Sequence, residues 1–327
     1  MSKKIKYLSC CYKMSDSMKS ALKEVPRRGG YYNWIFVHQG GIKPYRMVED
    51  FEDYDVVSVN MSPIDQHLVP MIREKIPESS SILLVLNNDY VTECWPDWQQ
   101  HPMEYLNVQK AGDAVFATEK YQTSFMRDDA YCMPHPHWIE GYKHIKPDYD
   151  NDDFDVAAIY HWWEGGSYHM SQILERLRKE FPKLYTKLYA YMQARDKSAK
   201  WQKVMFDEHK PMMEYKDYIN SLGKNRFVFE NGPYHTYGRN SVDTAAMGIP
   251  TVGSNRIDSM RRCWGQTAHD PYDARSILNS MRKILTDKNF VQDILDKAKE
   301  ESEYYNYQNS RERYMTMIEE TRQKLGK

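Results

Sequence analysis

Long apolar runs are absent from this chain of 327 residues. No stretch approaches the roughly 18 consecutive apolar residues that a membrane-spanning helix needs, and the start MSKKIKYLSCCYKM is too polar for a secretory signal. Cysteine is scarce too, with five residues, an odd number, and no C-x-x-C pair. We therefore expect a protein without a membrane span that works in a reducing, cytoplasmic environment.

A basic excess is also missing, because 45 Lys+Arg face 46 Asp+Glu and leave a net charge of -1. A dedicated nucleic-acid binder usually carries a basic surface, so this balance counts against that class. The first 150 residues are mildly acidic, with 17 Lys+Arg against 21 Asp+Glu, which counts against duplex DNA as their ligand. The chain is rich instead in Tyr (26), Met (19) and Trp (8), which favours clefts for polar ligands.

Short apolar runs alternate with helical patterns in the first 150 residues. The run at 81–86 is almost continuously apolar, as is typical of a strand buried on both faces of a parallel sheet. Alternation of strand and helix indicates an α/β sheet with right-handed crossovers. We predict strands at residues 6–10, 34–38, 55–60, 81–86 and 114–118, with helices following residues 62 and 120.

The acidic, turn-rich stretch at residues 147–153 is typical of an interdomain linker, and the alternation restarts after it. Gly165 and Gly166 are predicted to form a turn. From residue 273 onward the pattern is that of amphipathic helices. We predict strands at 155–160, 184–192, 226–229 and 251–253, and helices at 171–179, 215–222 and 240–247. The sequence thus predicts two α/β sheets in tandem with a helical tail.

The most informative segment runs from residue 234 to residue 252. It predicts a loop in which Gly238 lets the backbone approach a ligand, followed by a helix that starts near Asn240. Backbone N–H groups at such a helix start bind anions, and Arg239 adds a cation. Asp243, one turn further on, can accept two hydroxyl hydrogen bonds from one ligand. The alternative is that Asn240 is an ordinary N-cap and Asp243 its capping partner.

The pattern Gly238-x4-Asp243-x4-Gly248-x-Pro250-x-Val252 is similar to the donor-site signature of retaining glycosyltransferases of the GT-B kind, family 4 in particular. The resemblance implies an α/β fold of two Rossmann-like domains that face each other across a cleft. It implies an acceptor domain at 1–150, a nucleotide-sugar donor domain at 151–300, and a C-terminal helix at 301–327 that packs back on the first domain.

The resemblance also implies roles for single residues. Asp243 would hold the donor ribose, and the loop amides from Gly238 to Ser241, Asn240 included, would hold the diphosphate. His235 stands where the family usually has a glutamate near the transferred sugar, and Asp243 stands where it usually has another glutamate. We include Gly165 and Gly166 among the donor-binding residues.

The family's usual Arg and Lys are missing from the first strand-to-helix loop of the second domain. We expect a substitute cation at Arg239, ahead of Arg195 or Lys200, because Arg239 lies inside the glycine loop.

A second resemblance lies in the first domain. The segments Leu83 to Tyr90 and Ala111 to Ala117 look like the strand, polar tip and A-D-x-V-F strand of the T-even phage DNA α-glucosyltransferases. The resemblance implies that Asn88 and Asp89 face the acceptor and the transferred sugar. Polar residues at the C-terminal end of a parallel strand do lie where such sheets bind ligands. The alternative is that Asn-Asp is ordinary turn chemistry after a strand.

Other clusters favour plainer interpretations. His101, His135 and His137 lack partners at ligand spacing, so we predict no metal site there. The acidic run at 148–155 is best explained as a solvated linker, and the basic turn at 27–30 as a solvated turn. Trp162 and Trp163 are equally compatible with ligand stacking and with capping the core.

These observations lead to one principal hypothesis. The chain is expected to be a retaining, metal-independent glycosyltransferase that moves a sugar from a nucleoside-diphosphate sugar, preferably a UDP-sugar, to an acceptor hydroxyl on a glycan or on a modified DNA base. Two alternatives stay open: a nucleotide-sugar epimerase of the same fold, and a non-catalytic protein that binds sugar nucleotides or glycans. The sequence does not indicate an oligomeric state.

Overall fold

A computed structural model describes residues 5–14, 19, 22–23, 32–60, 65, 67–76, 83–88, 102–123, 126–142, 144–145, 147, 154–159, 164–189, 206–211 and 213–326. The chain divides into two compact units. Unit 1 comprises Met1–Trp138 and Tyr305–Lys327, and unit 2 comprises Ile139–Tyr304. Within the described residues, no helix is both long enough and apolar enough to cross a membrane.

Unit 1 is built on a six-stranded parallel sheet with the strand order β2-β1-β3-β4-β5-β6. Two 3-10 helices, Tyr45–Met47 and Phe51–Asp53, precede β3. The other elements are β1 (Tyr7–Cys11), α1 (Asn33–Val37), β2 (Gly41–Pro44), β3 (Val56–Asn60), α2 (Leu68–Lys75), β4 (Leu83–Asn88), α3 (Pro102–Ala111), β5 (Ala114–Ala117), α4 (Lys120–Thr123) and β6 (Tyr131–Cys132).

The core of unit 1 lies on both faces of this sheet. Val57 of β3 packs into one apolar cluster and its neighbour Val56 into the other, because successive side chains of a strand point to opposite faces. Both valines are fully buried. The predicted strands at 6–10, 55–60, 81–86 and 114–118 are confirmed as β1, β3, β4 and β5.

The strand predicted at residues 34–38 is wrong, because this segment forms helix α1. Its aromatic and β-branched residues favour a strand locally, but their burial is decided by tertiary packing. Trp34 and Ile35 enter the core on one face of the sheet, whereas Phe36 is 47% exposed. The edge strand beside β1, on the side away from β3, is instead β2, which begins after the turn at Gly40.

Unit 2 repeats the architecture with the strand order β12-β11-β10-β7-β8-β9, again all parallel. It opens with the 3-10 helix Ile139–Tyr142. The other elements are β7 (Phe154–Ile159), α5 (Glu164–Glu180), β8 (Leu184–Tyr189), β9 (Glu208–Lys210), α6 (Tyr215–Leu222), β10 (Phe227–Glu230), α7 (Arg239–Met247), β11 (Thr251–Ser254), α8 (Asp258–Cys263), β12 (Ala268–His269), α9 (Ala274–Thr286) and α10 (Lys288–Ser302).

The last helix, α11 (Tyr307–Leu325), belongs to unit 1 and follows the 3-10 helix Glu303–Tyr305. Tyr314, Met317 and Ile318 bury one side of α11 in the cluster that also contains Trp34 and Phe116. The chain therefore has two α/β units with parallel sheets and helices on both faces, which is the predicted class of two Rossmann-like domains.

Gly165 and Gly166 do not form the predicted turn. They lie in the first turn of α5, a helix that begins at Glu164 and is longer than the predicted helix at 171–179. Two glycines disfavour a helix interior, but the cost is small in a 17-residue helix whose later turns pack Ile173 and Leu174 into the core.

Candidate functional site

The predicted donor residues follow two neighbouring strands of the sheet in unit 2, beyond their C-terminal ends. In open parallel sheets, ligands bind beyond the carboxyl ends of the strands. Strands β7 and β10 are neighbours, and they end at Ile159 and Glu230. Beyond β7 lies the first turn of α5 with Gly165 and Gly166, and beyond β10 lie the loop 231–238 and α7.

Gly238 is the N-cap of α7, with φ 80°. Only glycine adopts this left-handed conformation without strain. A Cβ atom here would also clash with Ile257 Cγ2 and would lie 2.6 Å from Ser259 Oγ. The Ser259 hydroxyl donates a hydrogen bond to the Gly238 carbonyl, so the glycine is held tightly against α8.

Helix α7 presents its N-terminus at this edge. The first N–H groups of a helix have no partner within the helix, and the helix dipole makes them favourable for anions. No side chain caps α7, because the N-cap is a glycine. The amides of residues 239–241 are therefore groups that could hold a phosphate.

Asn240 is not the N-cap that the alternative interpretation proposed, because the N-cap is Gly238. Its side chain and that of Ser241 turn inward, toward the end of β10. Asn240 Nδ2 donates to Glu230 Oε1 at 3.1 Å, and Ser241 Oγ donates to Glu230 Oε2 at 2.6 Å. Tyr218 donates from its hydroxyl to Asn240 Oδ1 at 2.9 Å. The side chains of Asn240 and Ser241 thus fix the first turn of α7 to the end of β10. Only their backbone N–H groups remain as candidates for contact with a ligand.

Glu230 is a residue that sequence reasoning missed. It is 1% exposed and sits at the end of β10, where a carboxylate accepts both side-chain donors of the helix start. The signal available in the sequence was a charged residue at the end of the apolar run 227–229. A buried carboxylate of this kind must be hydrogen-bonded to be tolerated.

Asp243 is fully buried, and it lies in the second turn of α7. Its Oδ1 accepts a hydrogen bond from the Tyr142 hydroxyl at 2.9 Å, and its Oδ2 accepts one from the Tyr215 hydroxyl at 2.7 Å. Burial, and next the negative charge of Asp243, raise the pKa of both tyrosines well above the usual value, so they stay protonated donors. The geometry gives Asp243 a structural role; the ribose contact stays a prediction.

Arg239, the first residue of α7, lies against this buried group. Its guanidinium carbon is 5.9 Å from the centre of the Tyr215 ring, and its positive charge acts to lower the pKa of Tyr142 and Tyr215. His235 is half-buried in the loop before Gly238. The structure thus places His235 and Arg239 in the same loop and helix start as Gly238, as their spacing in the sequence predicts.

Arg256 is a second residue that sequence reasoning missed. It follows β11, and its Nη1 donates to the Pro233 carbonyl at 2.7 Å. The Thr236 N–H donates to the Arg256 carbonyl at 3.3 Å, so the two loops are tied together. The guanidinium lies over the ring of Tyr272, 5.7 Å from its centre. No motif pointed to Arg256, because its proximity to the loop arises from pairing between segments 20 residues apart.

In unit 1, Asn88 is the last residue of β4 and so lies at the C-terminal edge of that sheet. Asp89 lies outside the described residues, as do His101, Trp162, Trp163, Arg195 and Lys200. His135 and His137 are both buried in the loop after β6. The described residues contain no group of three or more His, Cys, Asp or Glu side chains arranged to hold a metal ion.

A cavity of about 700 Å³ lies in unit 1. It is lined by α1 and the start of α11, including Phe36, Tyr307 and Arg311. None of the predicted site residues lines it.

No protein-family model and no curated protein matches this sequence. Solved structures match in fold. TarM, a variant of which from S. aureus was solved with UDP, gives a TM-score of 0.64 at 11% identity over 84% of this chain. The chain spans 56% of TarM's length.

Two other structures match along almost their whole length. A glycosyltransferase from Rickettsia africae ESF-5 gives a TM-score of 0.67 at 10% identity, covering 97% of this chain and 98% of that one. A trehalose-6-phosphate synthase gives 0.64 at 9% identity, covering 96% and 99%. At such identities the similarity shows the fold, two Rossmann-like domains of the GT-B type. The finer resemblances, to family 4 and to the phage enzymes, stay predictions.

Proposed function

We propose that this protein is a glycosyltransferase that uses a nucleoside-diphosphate sugar as donor. The observation that carries the proposal is the glycine-capped N-terminus of α7 at the C-terminal edge of a parallel sheet, in a chain with the GT-B fold. UDP-sugars are the preferred donors, because UDP was bound in the TarM variant and in the pneumococcal O-GlcNAc transferase GtfA.

In the proposed complex, the amides of residues 239–241 bind the diphosphate, with Gly238 allowing its close approach. Gly165 and Gly166, in the first turn of α5 beyond β7, offer a second helix start to the donor. Backbone dipoles that are already oriented toward the leaving diphosphate stabilise the negative charge that develops on it. This stabilisation lowers the free-energy barrier of the transfer step. His235 would face the transferred sugar, and Asp243 the ribose.

The acceptor is assigned to unit 1, where Asn88 ends the strand β4 and Asp89 is the next residue in the sequence. A glycan hydroxyl and a hydroxyl on a modified DNA base are both suitable acceptors. We propose retention of configuration without an obligatory metal ion. In support, the trehalose-6-phosphate synthase structure comes from work on glycosyl transfer with retention. We expect the protein to act in the cytoplasm.

A donor panel tests this proposal. The protein is titrated with UDP-, GDP- and ADP-linked sugars, with thermal unfolding as readout, since a ligand that binds only the folded state raises the melting temperature. The best donor is then incubated with candidate glycans and modified DNA, with and without EDTA. Nucleoside diphosphate release that depends on the acceptor supports a transferase.

Other outcomes point to the alternatives. A donor whose sugar is isomerised without an acceptor indicates an epimerase, and a donor that binds without turnover indicates a binding protein. No stabilisation by any nucleoside diphosphate or its sugar contradicts the proposal as a whole.

A further inference from the structure

Arg256 is a guanidinium at the proposed donor site that makes no ion pair in the described part of the chain. Nearby arginines on α8 are paired instead: Arg261 contacts Asp258 at 2.5 Å, and Arg262 contacts Glu301 at 3.1 Å. Arg256 donates one N–H to a neutral group, the Pro233 carbonyl. A cation that pairs with no carboxylate of the described residues, in a segment that is hydrogen-bonded to the loop before α7, is available to an incoming anion.

Backbone hydrogen bonds hold the segment of Arg256 against the loop that precedes α7. Thr236 and Ile257 form a parallel bridge, and the Asp258 N–H donates to the Thr236 carbonyl at 2.9 Å. This bridge ties the segment of Arg256 to the loop that enters α7 at Gly238. Because the Arg256 side chain also holds Pro233, the guanidinium is anchored to the loop at two points, backbone and side chain.

An exposed aromatic ring completes the arrangement. The Tyr272 side chain is 61% exposed, and the Arg256 guanidinium lies over its ring. Tyr272 in turn makes an edge contact with His169 of α5, with the ring centres 5.7 Å apart. Stacking on an aromatic face restrains a guanidinium in its plane and leaves its edge for hydrogen bonds.

Arg239 occupies a different environment. It packs on the Tyr215 ring, and its charge acts on the tyrosines that bind the buried Asp243 carboxylate. Tyr215 is 7% exposed and its hydroxyl binds the buried Asp243 carboxylate. Tyr272, under the Arg256 guanidinium, is instead 61% exposed and open to a ligand. We therefore rank Arg256 above Arg239 as the cation for the diphosphate, which reverses the ranking expected from the sequence.

We propose that Arg256, rather than Arg239, supplies the positive charge that binds the diphosphate of the donor. The inference rests on the proposed function. The free edge of the Arg256 guanidinium donates to phosphate oxygens, while the amides of residues 239–241 bind the same diphosphate from the helix start. The side chain thereby takes the place of the cations that the first strand-to-helix loop of unit 2 lacks.

The experiment compares the binding of UDP, inorganic pyrophosphate and uridine by calorimetry at low ionic strength. Arg256→Gln is expected to weaken UDP about 10- to 100-fold, the range for a hydrogen bond to a charged group, and to weaken pyrophosphate similarly. Uridine affinity should change less than about twofold, and Arg256→Lys should recover part of the UDP affinity because it keeps the charge.

Two controls make the result specific. Arg239→Gln should weaken UDP much less than Arg256→Gln does. Arg275→Gln removes the same charge from an exposed arginine in the first turn of α9 and should leave UDP affinity nearly unchanged. Circular dichroism and the melting temperature confirm that each variant is folded.

The outcomes separate the inference from the proposed function. If the wild type binds UDP and Arg256→Gln weakens it no more than Arg275→Gln does, the inference is wrong and the proposed function stands. Equal weakening of UDP and uridine would mean that Arg256 only holds the loop, which also overturns the inference. A wild type that binds none of UDP, GDP and ADP overturns both.

Discussion

At the scale of single residues, the site depends on a glycine and a buried carboxylate. Gly238 allows the chain to turn into α7 where any side chain would meet Ile257 and Ser259. Asp243 stabilises the helix from within, through two tyrosine hydroxyls. Both residues shape α7, whose start is the proposed donor site.

Gly238→Ala should lower the free energy of unfolding by about 1–3 kcal/mol, because it adds both a left-handed alanine and a steric clash. Gly326→Ala is the matched control, since Gly326 has φ 66° but its added Cβ would meet nothing within 4 Å. Chemical denaturation of both variants measures the difference. Equal losses in the two variants would mean that the contact with Ile257 carries no cost.

Asp243→Asn tests the ribose contact against the structural role. Loss of the charged acceptor should cost about 1.5–3 kcal/mol of unfolding free energy. If Asp243 also holds the ribose, uridine affinity falls in this variant. Tyr215→Phe is the control, because it removes one hydroxyl donor and keeps the carboxylate. If neither variant changes uridine affinity while both lose stability, Asp243 is a structural residue only.

The sequence revealed the residue types of the site but not all of their contacts. Gly238 and the helix start at residue 239 follow from local chemistry, glycine before an amphipathic run. The partners of Asp243 come from positions 142 and 215, and Arg256 reaches back to Pro233. Such pairings are set by tertiary packing and leave no local pattern.

At the scale of elements, the same distinction explains which strands were predictable. Strands buried on both faces, such as β3 and β4, form continuous apolar runs and were recognised. The short strands β2, β6, β9 and β12 were missed, because they have two to four residues and little apolar character. The segment 33–37 became a helix because its aromatic side chains pack against α11.

The contact between α1 and α11 contains a buried histidine. His38 is 4% exposed, and its ring centre lies 4.3 Å from that of Tyr314. Burial, assisted by the charge of Arg311, lowers the pKa of His38 to about 3. The unfolded chain binds a proton at this residue near pH 6.5, whereas the folded chain stays neutral there.

Protonation should therefore destabilise unit 1 in acid. The contribution of His38 to stability is complete above pH 6.5 and is lost as the pH falls toward 3, by up to about 1.4 kcal/mol per pH unit. His38→Phe keeps a flat ring in the cluster but cannot bind a proton. The slope of the unfolding free energy against pH should therefore fall by about 1.4 kcal/mol per pH unit, the contribution of one proton. An unchanged slope between pH 6 and pH 4.5 would mean that His38 is not buried as a neutral group.

At the scale of the whole molecule, we propose that unit 2 binds the donor and that unit 1 binds the acceptor. The two sheets share the all-parallel pattern, so both offer a C-terminal edge for ligands. The sequence predicted this architecture because apolar strands and amphipathic helices alternate along both halves. The similarity to a glycosyltransferase along 97% of the chain agrees with it in fold.

Asp89→Asn tests the assignment of the acceptor to unit 1. A carboxylate that aligns the acceptor hydroxyl or takes its proton is worth about 10²- to 10⁴-fold in rate. We expect transfer to fall by this factor while donor affinity stays the same, as measured by nucleoside diphosphate release and by calorimetry on one preparation. Full transfer activity in the variant would remove Asp89 from the proposed mechanism.

The most direct test of the central claim is a crystal structure of the protein soaked with UDP. The account predicts electron density for the diphosphate within hydrogen-bond distance of the amides of residues 239–241, at the start of α7. Density for UDP in the cavity lined by Phe36 and Arg311, or no density at saturating UDP, would contradict the claim that this edge of unit 2 is the donor site.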